Sequence, residues 1–308
     1  MVAKIDLDRY IAEVRDAMNI KNAQDIIHKD LILTFILAEF QKEQGIFKDL
    51  IFKGGTLLSR NYLKYHRFSE DLDFVFKNSN NIRDLTRSAR ERNVKTFLDI
   101  FTPKLKEVTD RLGLDFSTNR SDKKYCKMLN GRTVYTFKVY YEADKYVKIE
   151  INFIEKIINR PKETSIKTIT DFFDSKNLLF TLGLKYDNFV VLSYPIEEVI
   201  IEKYRAVLTR NALAERDLFD LFLIPNSLNA DINEIVSKIM SSSLIKKELP
   251  ILISNNLNLL NEGNFFKSRE KIEDLAIIKY SPDEFTCFKQ KIQPKLIEIC
   301  NKFMERLK

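Results

Sequence analysis

The feature that most constrains this chain is a pair of adjacent glycines, followed less than twenty residues later by a pair of alternating aspartates. Glycine is scarce, with 7 in 308 residues, so Gly54 and Gly55 mark a place where the backbone needs special freedom. A short apolar run precedes them and Thr56 follows, which predicts a strand, a tight turn and a helix. This arrangement is typical of a phosphate cradle, because the missing Cβ atoms let backbone N–H groups approach an anion and a helix N-terminus favours negative charge.

The aspartates are predicted to share one face of a strand. Asp71 and Asp73 alternate with the apolar Leu72 and Phe74, and residues two apart on a strand project to the same side. Paired carboxylates on a rigid strand suit Mg²⁺, which takes a few carboxylate oxygens together with substrate phosphates. Ser69 faces the same side of an extended chain and can bond a phosphate or orient a carboxylate. A tight turn, a solvated strand face and a turn-forming serine are the plain structural alternatives, and the occurrence of both pairs in this order favours a functional site.

The chain has two parts with different secondary structure. Helical and strand patterns mix as far as about residue 190, and only helical patterns follow Pro195. We therefore predict an α+β fold with a mixed-sheet domain at 1–192 and a helical domain at 193–308. The predicted strands are 50–52, 72–76, 134–141 and 146–153, and the predicted helices are 22–44, 56–63, 80–112, 195–210, 214–223, 232–240, 244–260 and 282–307.

Composition excludes several classes of protein. With 44% hydrophobic and 31% charged residues the chain is not disordered. Its 2 histidines exclude a zinc site built on several histidines. The 3 cysteines, widely spaced, indicate reduced thiols. The start of the sequence shows no signal peptide and no apolar run is long enough to span a bilayer, so we expect a cytoplasmic protein. The net charge of +7 suits a polyanionic partner and a solvated surface equally well.

These motifs resemble those of the AbiEii/AbiGii-type toxin nucleotidyltransferases, which include the MenT toxins and belong to the DNA polymerase β-like superfamily. The matching segments, which span about residues 50 to 225, are Gly54-Gly55-Thr56-x-Leu58, Arg67-x-Ser69-x-Asp71-x-Asp73, Lys148-Ile149-Glu150-Ile151, Glu198-x-x-x-x-Lys203-x-x-Ala206 leading to Arg210, and Arg216-Asp217-x-x-Asp220. No motif matches beyond them.

The resemblance implies a polymerase β-like nucleotidyltransferase domain followed by a C-terminal helical bundle. It implies transfer of a nucleoside monophosphate (NMP) from an NTP to an RNA acceptor such as the 3′ end of tRNA, with release of pyrophosphate, and an antitoxin partner. Two other functions remain open at this point: nucleotidylation of a protein hydroxyl, and a catalytically silent scaffold that binds RNA or an antitoxin. The intact aspartate pair argues against the silent scaffold.

The resemblance also implies roles for individual residues. Asp71 and Asp73 would bridge two Mg²⁺ ions, Glu150 would add a third carboxylate, and Lys203 would neutralise the triphosphate. The predicted nucleotide-binding residues are Gly54, Gly55, Thr56, Ser69, Lys203, Asp217 and Asp220. Several of these residues have a purely structural alternative. Glu150 can be an exposed strand residue that pairs with Lys148, and Lys203 can be a solvated surface lysine. Asp217 and Asp220 can simply pair with Arg210 and Arg216.

Two basic segments are candidate contacts for the acceptor. The segment 120–138 interleaves cations with aromatic rings, the composition that single-stranded nucleic acid favours, and a solvated β-hairpin has the same composition. Its residues of interest are Lys123, Lys124, Tyr125, Lys127, Arg132 and Tyr135. The second candidate is one helix face that carries Arg83, Arg87 and Arg90.

Overall fold

The chain divides into two compact units. The structure, a computed structural model, describes residues 7–20, 23–43, 45, 47–172, 189–242, 248–268, 270 and 272–308. One unit, the sheet unit, comprises Met1–Glu155 and Pro161–Tyr194, and the other, the helical unit, comprises Lys156–Arg160 and Pro195–Lys308. The domains 1–192 and 193–308 stay a prediction, because compactness does not show that either unit folds alone.

The sheet unit is built on a seven-stranded mixed sheet within the described residues. Its strands are β1 (Leu50–Lys53), β2 (Asp71–Phe76), β3 (Cys126–Leu129), β4 (Val134–Tyr140), β5 (Tyr146–Asn152), β6 (Lys162–Ile166) and β7 (Phe189–Ser193). Their order is β3-β4-β5-β2-β1-β7-β6, with β2–β5 and β1–β7 parallel and the other neighbours antiparallel. This mixed sheet, followed by helices, confirms the predicted α+β fold class.

One face of the sheet is apolar and packs on helices. On β5 the side chains of Val147, Ile149 and Ile151 are fully buried, whereas the alternate residues are partly exposed. The α-helices described in the sheet unit are α1 (Leu7–Met18), α2 (Gln24–Lys42), α3 (Gly54–Leu57), α4 (Ser79–Arg83) and α5 (Arg87–Leu112). The ring of Phe101 on α5 lies 5.3 Å from that of Phe137 on β4. We call the opposite face the polar face, because there β2 carries Asp71 and Asp73 and β5 carries Lys148 and Glu150; the same face also includes the buried Ile51 and Val75.

The predicted helix 80–112 is wrong as a single helix. It is interrupted at 84–86, where Thr86 begins α5 by accepting a hydrogen bond from the backbone N–H of Ala89. Arg83 thus belongs to α4, and Arg90 donates to its backbone carbonyl at 2.8 Å. The three arginines of this region do not form one helix face, because that face requires an unbroken helix.

The helical unit contains five longer helices among its described residues. They are α6 (Ile196–Thr209), α7 (Glu215–Leu223), α8 (Ile232–Met240), α9 (Leu249–Asn261) and α10 (Pro282–Glu305). Each overlaps a helix predicted from apolar periodicity, and residues 243–247, where one prediction begins, lie outside the described residues. Among the helices described in either unit, none combines the length and apolarity needed to cross a membrane.

The first turn of α8 carries a testable cap. The Asp231 carboxylate accepts hydrogen bonds from the backbone N–H groups of Asn233 at 2.6 Å and Glu234 at 3.1 Å. The Glu234 bond lowers the pKa of Asp231 below its ordinary 3.8, so the stabilisation is present above that value and is lost as pH falls through the folded-state pKa. We expect Asp231→Ala to lower the free energy of unfolding by about 1 kcal/mol at neutral pH and by less in acid. Urea unfolding at neutral pH and below pH 3.8 measures this, and an equal loss at both would contradict it.

Candidate active site

Strand register brings the predicted carboxylates to one face of the sheet. β2 runs parallel to β5, with Asp71 opposite Lys148 and Asp73 opposite Glu150. On the other side of β2, antiparallel β1 places Lys53 opposite Asp73. Directly opposed residues share a face, so the three predicted acidic residues occupy neighbouring positions on the polar face, away from the helices that bury the apolar one.

The glycine turn packs directly against this acidic group. Gly54 has a φ of +80°, and a Cβ atom at this position would lie 2.2 Å from Oδ2 of Asp73. A Cβ on Gly55 would lie 2.8 Å from the Ser69 hydroxyl and 3.0 Å from a guanidinium nitrogen of Arg67. Neither position has room for a side chain. The backbone of the turn therefore approaches the carboxylate and the serine closely, and phosphate binding by the two glycines stays a prediction.

Two hydroxyl groups fasten the helix after this turn to the segment that leads into β2. The buried Thr56 donates from Oγ1 to the backbone carbonyl of Asp71 at 2.5 Å. The Ser59 hydroxyl donates to the backbone carbonyl of Arg67. Because its hydroxyl already has this partner, Thr56 is better placed to meet a phosphate through its backbone N–H than through its side chain.

The acidic side chains differ in their surroundings. Lys148 Nζ lies 3.4 Å from Oδ1 of Asp71, whose side chain is 40% exposed. Thr136 Oγ1 lies 3.4 Å from Oε2 of Glu150, a weak hydrogen bond at most. The pairing of Lys148 with Glu150 that the sequence left open is thus replaced by pairing with Asp71. An exposed ion pair of this kind contributes little to stability, so the Asp71 carboxylate remains accessible to a ligand.

The carboxylates of Asp71 and Asp73 are a suitable donor set for Mg²⁺ when a substrate phosphate supplies further oxygen ligands. Over the residues that the structure describes, no group of three or more His, Cys, Asp or Glu side chains is arranged to hold a metal ion. Mg²⁺ commonly binds through one or two carboxylates plus substrate phosphates rather than in an all-protein cage. Asp71 and Asp73 beside the Gly54 turn offer that donor set, and Glu150 as a third ligand stays a prediction.

A buried polar network next to the glycine turn was missed by the sequence analysis. Lys53 Nζ lies 2.5 Å from Oε2 of Glu155, and both side chains are less than one-tenth exposed. The Tyr194 hydroxyl donates to the other carboxylate oxygen at 2.8 Å. A lysine at the end of an apolar strand and directly before Gly54 was the available signal. The network fixes the strand end from which the turn begins.

The residues predicted in the later motifs meet in the helical unit. Lys203 Nζ lies 2.9 Å from Oδ1 of Asp217 and 2.6 Å from Oδ2 of Asp220. All three side chains are at least nine-tenths buried. The alternative of a solvated surface lysine is therefore wrong, and the two carboxylates hold the ammonium group in one place.

The arginines near this cluster separate into two pairs. Arg210 Nη2 lies 3.1 Å from Oδ2 of Asp217, as one alternative expected. Arg216 instead pairs with Glu270, to which it donates from its backbone N–H at 3.0 Å and its side chain at 3.1 Å. A role of Arg216 as partner of the two aspartates is wrong.

Glu198, which begins the Lys203 motif, is held at the centre of a buried structural network. It forms an ion pair with Lys238 at 2.7 Å, and both side chains are fully buried. Its carboxylate also accepts hydrogen bonds from the backbone N–H groups of Ile158 and Asn159. Lys238 donates in turn to the carbonyl of Lys156. The pair thereby ties the segment Lys156–Arg160 to the helices.

Comparisons with known proteins relate the chain to nucleotidyltransferase toxins. The solved structure of MenT4, a nucleotidyltransferase toxin from Mycobacterium tuberculosis, is 15% identical, covers 95% of this chain and 98% of its own, and has a TM-score of 0.44. JHP933 from Helicobacter pylori is 14% identical, covers 92% and 98%, and has a TM-score of 0.36. At these values neither likeness bears on activity. No curated protein gave a significant sequence match.

The family comparison covers most of the chain. The model of the nucleotidyl transferase AbiEii toxins of type IV toxin–antitoxin systems matches residues 36–296. This range includes the glycine pair, the aspartate pair and the later motifs. The resemblance drawn from those motifs is thereby confirmed, and the chain belongs to the AbiEii nucleotidyltransferase toxin family.

Proposed function

We propose that this protein is a cytoplasmic, Mg²⁺-dependent toxin that transfers an NMP from an NTP to RNA, with the 3′ end of tRNA as the first candidate acceptor. The observation that carries the proposal is the packing of the Gly54 backbone against the Asp73 carboxylate. A phosphate cradle directly beside a pair of metal-binding carboxylates suits a triphosphate whose oxygens contact both the backbone N–H groups and the metal. Membership of a toxin family supports an antitoxin partner.

A role follows for each residue on or beside the polar face of the sheet. Asp71 and Asp73 would hold two Mg²⁺ ions. When bound, these ions would supply positive charge to the transferring phosphoryl group. The backbone N–H groups of Gly54 and Gly55, with the hydroxyl of Ser69, would bind phosphate oxygens. Glu150 lies opposite Asp73 on the neighbouring strand. Its carboxylate would therefore accept the proton of an acceptor hydroxyl or complete a metal site.

The helical cluster is proposed to bind the nucleotide as well. Lys203 would offer a point charge to a phosphate, and Asp217 and Asp220 would orient its ammonium group through the ion pairs at 2.9 and 2.6 Å. The geometry supports a held rather than a mobile lysine. These roles rest on the family motif and on the ion pairs within the helical unit alone.

Gly54→Ala tests the cradle. The new Cβ would collide with Oδ2 of Asp73 and would also require an unfavourable positive φ. Gly113→Ala is the matched control, since Gly113 has a φ of +73° but no atom within 4 Å of its Cβ position. We expect Gly113→Ala to lose about 1–2 kcal/mol of stability, which is the cost of its positive φ alone, and Gly54→Ala to lose more because of the collision. At a temperature where both variants are folded, only Gly54→Ala should lose transfer activity, by about a hundredfold or more. Equal activity of the two variants would contradict the cradle.

The acceptor is identified by following the label. Purified protein with each α-labelled NTP, Mg²⁺ and total tRNA should give a product that RNase destroys and protease leaves intact. A product with the opposite sensitivity would replace RNA by a protein hydroxyl as acceptor. Absence of any labelled product, with RNA binding that a chelator does not affect, would leave only the silent scaffold.

A further inference from the structure

The polar face of the sheet continues beyond the carboxylates to the β3 edge. On β4, Lys138 lies opposite Lys148, the residue that pairs with Asp71. In the next row, Lys127 of β3 lies opposite Thr136, which lies opposite Glu150. With about 4.8 Å between strands, Lys138 is about 10 Å from the strand of Asp71. A line of cations on one face therefore leads away from the proposed catalytic carboxylates.

Aromatic rings contact the ammonium groups of Lys138 and of Lys124, which lies in the turn before β3. Lys138 Nζ lies 4.6 Å from the ring centroid of Tyr146. Lys124 Nζ lies 4.5 Å from the ring centroid of Tyr125 and 4.8 Å from that of Tyr140. The rings of Tyr140 and Tyr146 are themselves 5.2 Å apart. We call the lysines at 124, 127, 138 and 148 with these three tyrosines the basic track.

The charges of the track are only partly compensated. Asp71 pairs with Lys148, and Asp115 with Lys124. Across the described ranges, neither Lys127 nor Lys138 has a carboxylate within ion-pair distance. Lys127 is exposed and Lys138 is partly exposed. Two ammonium groups on the same face are thus available to an anion.

The track differs from the basic segment that the sequence indicated. Tyr135 lies on the apolar face, where it is 7% exposed and its ring is 6.0 Å from that of Phe153. Arg120 is paired with Asp99 on α5 at 2.5 Å. A stacking role for Tyr135 is therefore wrong, because alternation along β4 points it away from the cations.

We propose that the basic track binds the single-stranded end of the acceptor RNA and directs its terminal hydroxyl to Asp71, Asp73 and Glu150. The inference rests on the proposed function. Cations on neighbouring strands can pair with the phosphates of a polynucleotide. The partly exposed Tyr125 and Tyr146 supply surfaces for bases, as in single-strand-binding proteins. An acidic protein would use the cations and leave the rings without a role.

The test uses charge reversal outside the catalytic group. The variant K127E/K138E alters the track, and K77E/K95E is the matched control, because Lys77 and Lys95 are exposed and lie outside the track. We measure the affinity of the full chain for a short single-stranded RNA at several salt concentrations, by fluorescence anisotropy. We expect the track variant to bind about tenfold or more weakly and to lose about 1.4 from the slope of log K against log salt, for two phosphate contacts on a single strand. The control should match the wild type. K127Q/K138Q removes the same two positive charges without adding negative ones, so it should lose the same amount from the slope and less affinity. It replaces the glutamate variant if that variant does not fold.

Transfer assays separate this inference from the proposed function. With a labelled NTP, the track variant should show a raised KM for RNA and an unchanged kcat. If the track and control variants label RNA with the same KM, the proposal that the track binds RNA is wrong, and the proposed transferase function is unaffected. If RNA binding depends on the track but the wild type transfers no NMP, the proposed transferase function is wrong, and RNA binding by the track is unaffected. Unchanged RNA affinity overturns the track even if the variant loses an acidic protein partner.

Discussion

Replacing Asp71 with asparagine is expected to lower the rate of NMP transfer by about a thousandfold or more while the fold stays intact. The substitution keeps the shape of the side chain and removes the charge that would hold Mg²⁺, and loss of one group that stabilises transition-state charge costs a factor of this size. The only ion pair described for Asp71 is the exposed contact with Lys148, so the free energy of unfolding should change by about 0.5 kcal/mol or less. Transfer of label from NTP to total tRNA and thermal unfolding measure the two effects.

The matched control for this substitution is Asp110→Asn on α5. Asp110 is 56% exposed and pairs with Lys106 one helical turn away, so it resembles Asp71 in exposure and pairing but lies outside the site. It should keep the transfer rate of the wild type. Substantial transfer by Asp71→Asn, or an equal loss in both variants, would remove the carboxylate mechanism.

Lys238→Met is expected to cause the largest loss of stability, about 3–5 kcal/mol in the free energy of unfolding. Lys238 and Glu198 are fully buried partners at 2.7 Å, so removing the cation leaves an uncompensated buried charge. The Glu198 carboxylate would keep its backbone donors at Ile158 and Asn159, which soften the loss without neutralising it. Urea unfolding, followed by circular dichroism, measures the change.

Two further variants make the interpretation of this loss specific. Lys291→Met removes an exposed lysine of α10 in the same unit and should change stability by about 0.5 kcal/mol or less. Glu198→Gln keeps an acceptor oxygen for the backbone N–H groups but removes the nearer carboxylate from Lys238, whose Nζ is 3.7 Å from that of Glu202, and should lose several kcal/mol as well. Similar stability of the Lys238 and Lys291 variants would show that the buried pair contributes nothing.

Local sequence patterns predicted much of the fold and several parts of the candidate site. The alternation of β5 separated Val147 and Ile149 from Glu150 without reference to the rest of the chain, because a strand has a fixed period of two. Helical periodicity located the helices after Pro195 for a similar reason. The positive φ and close contact at Gly54 agree with the scarcity of glycine in the sequence.

Features that depend on distant residues were not predictable in this way. Strands β3 and β6 lie at the two edges of the sheet and have mostly exposed side chains, so they lack the apolar alternation that marks a strand. The pair of Lys53 and Glu155 joins residues 102 positions apart, and no local pattern records such a contact. Thr56 was predicted to lie in the helix that follows the glycine pair, and it lies in α3, but only the fold shows that its hydroxyl is bonded to the backbone carbonyl of Asp71.

The central claim is that Asp71 and Asp73, beside the Gly54 turn, hold Mg²⁺ against a triphosphate. Calorimetric titration with each of the four NTPs, in Mg²⁺ and in excess chelator, tests it without requiring an acceptor. We expect at least one NTP to bind in Mg²⁺, and we expect its affinity to fall about tenfold or more both in chelator and in D71N/D73N. The claim is contradicted if that NTP binds the wild type in chelator, and the double variant in Mg²⁺, as tightly as it binds the wild type in Mg²⁺.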